Sequence, residues 1–148
     1  MSVMNWKSEA VDKLRQYEAK KQSLKSIPEE ISRLESVMKS IRSATSDGTP
    51  VYGGGSGRED MMLSNIVHRE ELGRALEQAQ IWVDLVEAGL EVLSEEDRLI
   101  LYRFYVHSEM GAANNLAGIL NYDVKTIYRR KDAALRRFTI CLYGGTES

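Results

Sequence analysis

From Leu24 onward the apolar residues fall at Leu24, Ile27, Ile31, Leu34, Met38 and Ile41, in alternating steps of three and four. That rhythm gathers them on one side of an α-helix and scatters them over both faces of a strand. A second run, Leu72, Leu76, Ala79, Val83, Val86, Leu90 and Leu93, keeps the same alternation. Each stripe needs an apolar partner, and two such stripes on one chain imply a long helical hairpin with a coiled-coil-like seam. Between them lies SATSDGTPVYGGGSGRED, residues 43–60, whose glycines, serines and Pro50 mark a flexible linker. Its Gly53, Gly54, Gly55 and Gly57 follow no strand and precede no Gly-Lys-Ser/Thr, so they do not make a phosphate-cradling loop.

Upstream of the linker, Ser26-Ile27-Pro28-Glu29 matches a capping box with proline in the first turn. The pattern predicts one helix ending near Leu24, a bend, and a new helix. The second seam helix, about 33 residues and ~50 Å long, outruns its partner. The cover for its excess is the N-terminal helix, with Trp6, Leu14 and Tyr17, or another copy of the chain. Self-association stays open.

The 148 residues suit one ordinary domain, or one small module with a helical extension. Two prolines and long stretches of Ala, Leu, Glu, Lys, Arg and Gln add up to an all-α chain. Cys141 is the single cysteine, no Cys/His cluster has zinc-site spacing, and these features point to a reducing cytoplasm. No apolar run reaches the ~18 residues that cross a bilayer, so no membrane is expected. For catalysis the material is thin. The two histidines, His68 and His107, have no catalytic neighbours in sequence, and the pairs Glu70-Glu71 and Glu95-Glu96 diverge on a helix. The expectation is a protein that is not an enzyme, with no cofactor and no metal.

The net charge of −2 is unevenly spread. Between Asn121 and Ile140 six cations, Lys125, Arg129, Arg130, Lys131, Arg136 and Arg137, stand against Asp123 and Asp132, a local charge of +4. A phosphate backbone meets the local charge, not the total. This stretch closes a region, 93–148, with three helical signals. Ser94 can cap the first helix, with Asp97 three residues on, and Leu99, Ile100, Tyr102, Phe104 and Tyr105 supply its apolar surface. The second, about Ala113 to Leu120, carries Leu116, Ala117, Ile119 and Leu120. Asn121-Tyr122-Asp123 makes a short turn in which Asn121 takes the left-handed conformation and Asp123 caps the next helix. That third helix runs from Val124 to about Ile140, with Ile127, Ala134, Leu135 and Phe138 inward and Lys125, Thr126, Tyr128, Arg129 and Asp132 outward. The chain therefore divides into a helical hairpin or oligomerisation region, 1–92, and a helix-turn-helix, 93–148, whose third helix suits a DNA major groove.

The run from Leu93 to Tyr105, and Leu116-Ala117-Gly118-Ile119-Leu120-Asn121-Tyr122-Asp123-Val124-Lys125-Thr126-Ile127-Tyr128-Arg129-Arg130, resembles region 4 of bacterial sigma factors. The tail from Ile127 to Phe138 and the heptad-rich front half are still more similar to small phage regulators of the ArpU family. The resemblance implies a DNA-binding transcriptional regulator of phage or prophage type, working in the cytoplasm of a bacterial host. It assigns base reading to Lys125, Thr126, Tyr128 and Arg129, and phosphate contacts to Arg130 and Lys131. Arg136, farther along the same helix, joins them as a phosphate contact. Double-stranded DNA is the implied partner, and RNA polymerase a candidate one. A phage DNA-packaging subunit of the small-terminase kind, or a helical adaptor on RNA polymerase, fits the same outline, and both alternatives stay open.

Overall fold

The computed structural model describes residues 5–46 and 54–146. They form α1 (Trp6–Ser46), α2 (Gly54–Glu91), α3 (Glu95–Leu101), a π-helical turn (Tyr102–Val106), α4 (Ala112–Leu120) and α5 (Val124–Tyr143). No strand occurs among the described residues, so the fold is all-α, as the composition predicted. Two compact units emerge: Met1–Lys20 with Ile81–Ser148, and Lys21–Gln80. The sequence boundary at 92/93 falls inside the first of them.

In the unit Lys21–Gln80, α1 and α2 run antiparallel, with Leu34 beside Asn65 and Ile41 near Asp60 and Met61. Leu34, Met38 and Ala79 are buried, while Leu24, Ile27, Ile31, Ile41, Leu72 and Leu76 are half-buried. The first stripe turns inward at Leu34 and Met38, but Leu34 and Ile41 face Asn65, Asp60 and Met61, upstream of the expected second run, so the facing register differs from the one the spacing suggested and has a polar residue in it. Asn65 is buried, its Nδ2 donates to the Leu34 carbonyl at 2.8 Å, and its Oδ1 accepts from Arg69 Nε at 2.8 Å. A buried amide left without these partners would be costly, so the contact favours one alignment of the two helices.

Two expectations fail here. The helix does not stop near Leu24, because α1 continues through Pro28. Ser26 caps nothing: its Oγ donates to the Gln22 carbonyl at 3.2 Å and accepts from Gln22 Nε2 at 3.3 Å. Proline removes one backbone hydrogen bond and crowds one carbonyl, a local penalty that packed turns on either side outweigh. The linker is also shorter than 43–60, since α1 reaches Ser46 and α2 already begins at Gly54. Glycine is least harmful in a first turn, where the N–H groups lack intrahelical partners in any case. The remainder of the linker, 47–53, lies outside the described residues.

In the other unit, the start of α1 provides the cover that the end of α2 requires. Ala10, Leu14 and Tyr17 are buried along with Val83 and Val86, Tyr17 donates its hydroxyl proton to Glu87 Oε2 at 2.8 Å, and Lys20 Nζ lies 4.8 Å from the Trp82 ring centre. Trp6 stacks on Tyr143 at 5.7 Å, tying the first turn of α1 to the last of α5. At Gly89 the helices leave no room for a side chain: a Cβ would stand 2.8 Å from Phe138 Cε1 and 3.2 Å from Leu142 Cδ2.

The π-helical turn went unforeseen. His107 N–H reaches back to the Tyr102 carbonyl at 2.8 Å, five residues away, and the wider turn shifts the helical phase. Leu101 and Val106 are consequently buried, whereas Tyr102, expected on the apolar surface, is exposed and donates to Glu18 Oε1 at 2.7 Å.

Two substitutions check this packing. Gly89→Ala gains up to about 1 kcal/mol of helix propensity, but it overpacks a fully buried ring, a cost of about 1–3 kcal/mol, so the chemical-denaturation midpoint should fall. Pro28→Ala replaces an exposed residue and restores a helical hydrogen bond, so the midpoint should rise by the equivalent of up to about 3 kcal/mol. A drop for Pro28→Ala would mean that the helix is broken there after all.

Candidate nucleic-acid interface

The interface is built from the turn outward. α4 ends at Leu120 and is followed by Asn121, which takes the left-handed conformation at φ 59°, while Tyr122 N–H donates to the Ala117 carbonyl at 3.2 Å. Asn tolerates this region better than most residues, and the reversal aims the chain into a second helix after only Tyr122 and Asp123. Asp123 then caps α5, accepting the Thr126 N–H at 2.8 Å. Ser94 does the same for α3, accepting the Asp97 N–H at 3.2 Å. All three local features were legible from residue type.

The helices are held by a cluster of Ile100, Ala113, Leu116 and Ile127, with Leu99, Phe104, Ala117, Leu120 and Tyr122 packed around it. Farther along α5, Ala134, Leu135, Phe138 and Thr139 are buried, and Thr139 Oγ1 satisfies itself on the Leu135 carbonyl at 2.7 Å. The inner face of α5 is therefore the one expected, with Thr139 added.

The outer face carries Lys125, Arg129, Asp132 and Arg136, all exposed, at intervals of three and four residues. Beside them, Val124 and Tyr128 remain 36% and 47% exposed. Tyr128 is held from behind, its ring 5.8 Å from that of Phe104 and 5.3 Å from Lys131 Nζ.

The remaining site residues named from the sequence are occupied within the chain. Thr126 is half-buried and bonds the Asp123 carboxylate through both its side chain and its N–H. Lys131 lies between the Phe104 and Tyr128 rings and 3.5 Å from Asp132 Oδ1. Arg130 bonds Glu96 Oε2 and Tyr122 OH, the latter at 2.7 Å, while Tyr122 OH donates to Glu96 Oε2 at 3.1 Å. Partial burial opposes its charge, but the Glu96 hydrogen bond and the nearby Tyr122, Glu96 and Asp97 outweigh that and raise its pKa. Arg137 Nη1 reaches the buried Asp97 carboxylate at 3.4 Å. Sequence reading missed this bracing set, Glu96, Tyr122 and Asp97, because its members are up to 40 residues from their partners.

His68 is exposed, and His107 faces Glu18 with Nδ1 3.3 Å from Oε2. Hydrogen bonds from Tyr102 and then His107 hold the Glu18 carboxyl below its usual range. Among the described residues no group of three or more His, Cys, Asp or Glu could hold a metal ion, and no helix is long and apolar enough to cross a membrane. Cys141 is exposed. Comparison of the chain with models of known families, with curated proteins and with solved structures finds no match.

The cap gives a pH dependence. Hydrogen bonds from the Thr126 side chain and N–H, together with the nearby Arg129 charge, lower the pKa of Asp123. A depressed carboxylate contributes stability that is complete above its unfolded value of about 3.9 and vanishes as pH falls through the folded one. Asp123→Ala should therefore have a lower denaturation midpoint than the parent chain at pH 7, with the gap closing below about pH 4. An equal gap at both pH values would remove the carboxylate from this role.

Proposed function

We propose that the chain is a sequence-specific DNA-binding transcriptional regulator that lays the start of α5 in the major groove. The observation that carries the reading is the division of α5 into two faces. One side is locked into the hydrophobic cluster, and the other presents Lys125, Tyr128 and Arg129 within the first two turns, with Arg136 two turns farther on. A rigid helix that offers cations and one aromatic ring at its N-terminal end suits a groove about 12 Å wide. The turn before it is short and tightly capped, which fixes the angle between α4 and α5 and hence the docking angle.

Within this reading the roles separate. Arg129 and Lys125 face the base edges, and Arg136 meets phosphate. Arg130 and Lys131 act first as braces, because their cationic heads are already engaged with Glu96, Tyr122, Phe104 and Tyr128. The phage or prophage setting, the bacterial cytoplasm and the contact with RNA polymerase rest on the resemblance to sigma region 4 and to ArpU-type regulators.

Binding to specific and scrambled duplexes at several salt concentrations tests the assignment. Arg129→Ala should lose about 1–3 kcal/mol on the preferred site and erode preference. Arg136→Ala should weaken all duplexes alike and make the salt slope shallower by roughly one unit. If Arg129→Ala leaves affinity and preference intact, α5 does not read bases. A large ring in a solution mass measurement would then favour the DNA-packaging reading.

A further inference from the structure

We infer that Val124 and Tyr128 form a thymine-methyl reader, so that the preferred duplex carries thymine beneath this strip. The inference rests on the DNA-binding reading above and names the base class it selects. Val124 and Tyr128 are four residues apart and therefore neighbours on one side of α5, and both keep large apolar surface in water, 36% and 47% exposed. Flanking them are Lys125 and Arg129, so an apolar strip lies alongside a cationic one at the helix start.

Major-groove chemistry matches that layout. Of the four bases only thymine presents a methyl group there, whereas guanine offers acceptors and cytosine and adenine offer an amino group. An apolar side chain over cytosine or adenine desolvates that amino donor without replacing its bond, and over thymine it buries a methyl. Lys125 and Arg129 take the complementary task of donating to guanine or to phosphate. The ring of Tyr128 is also pre-placed. Phe104 meets it at 5.8 Å with a 58° tilt and Lys131 Nζ sits 5.3 Å from its centre, so little side-chain freedom is left to lose on docking. A solvated tyrosine with no such backing would pay that entropy when it binds.

The test uses the full chain. A duplex is selected from a random-sequence pool, then resynthesised with deoxyuridine in place of each thymine in turn, which deletes one methyl and leaves every hydrogen-bonding group. One or two positions should weaken binding about fourfold, the value of one buried methyl. In Tyr128→Ala, or in Val124→Ala, which removes less packing, that loss should disappear, and in Lys125→Ala it should persist on a weaker baseline. A selected duplex indifferent to every deoxyuridine overturns the inference and leaves the DNA-binding reading standing. So does a Val124→Ala chain that keeps the full parental sensitivity together with a Tyr128→Ala chain that keeps it. A pool from which nothing is selected overturns the DNA-binding reading, and the methyl reader falls with it.

Discussion

α5 has an apolar side made of Ile127, Ala134, Leu135 and Phe138, and the chain must cover all of it. Ile127 is enclosed by α3 and α4, and Phe138 by Gly89 on α2, so one helix is gripped at two places by different parts of the chain. Full burial of each large apolar side chain is worth roughly 1.5–3 kcal/mol, more than any exposed ion pair on the surface of α5 supplies. The grip therefore decides the rotation of α5 about its axis, and the rotation decides which residues face outward. Lys125 and Arg129 are exposed because Ile127 is not.

Polar contacts then refine what packing establishes. The Glu96–Tyr122–Arg130 set joins the start of α3, the turn after α4 and the second turn of α5. Any one of these contacts at a half-exposed rim is weak, but a shared set fixes the turn from three directions. The price is that Arg130 is spent on the scaffold. In the unit Lys21–Gln80 the Asn65–Leu34 contact has a similar meaning, trading some apolar area for a defined alignment.

Features that a residue creates with its near neighbours were legible in the sequence: the caps at Ser94 and Asp123, the left-handed Asn121, and the inward set of α5. Those that depend on distant competition were not. Pro28 and the glycines at 54–57 carry breaker propensities that hold for an isolated segment, yet α1 and α2 include them because propensity is small beside the packing of a long helix. The π-helical turn leaves no periodic signature, since inserting one residue into a turn merely blurs the count, and Tyr102 was misplaced as a result. On the outer side of α5, the exposure of Lys125, Tyr128, Arg129 and Asp132 followed from helical spacing alone, whereas Thr126, expected outward with them, is half-buried. The engagement of Arg130 did not follow from spacing, because Glu96 stands 34 residues before it.

The aromatic contacts at the far end of α5 have an optical consequence. Both tryptophans of the chain lie there: Trp6 stacks on Tyr143, and Trp82 lies under Lys13, whose Nζ is 4.5 Å from the Trp82 ring centre and 5.4 Å from that of Tyr143. Tyr128 and Tyr143 are on the same helix, about 22 Å apart at 1.5 Å per residue. The indole emission is thus insulated from anything that touches the N-terminal turns of α5 directly. It is instead a built-in gauge of how firmly the C-terminal end of that helix is seated, and a spectral change on ligand addition would report movement of the helix as a rigid rod.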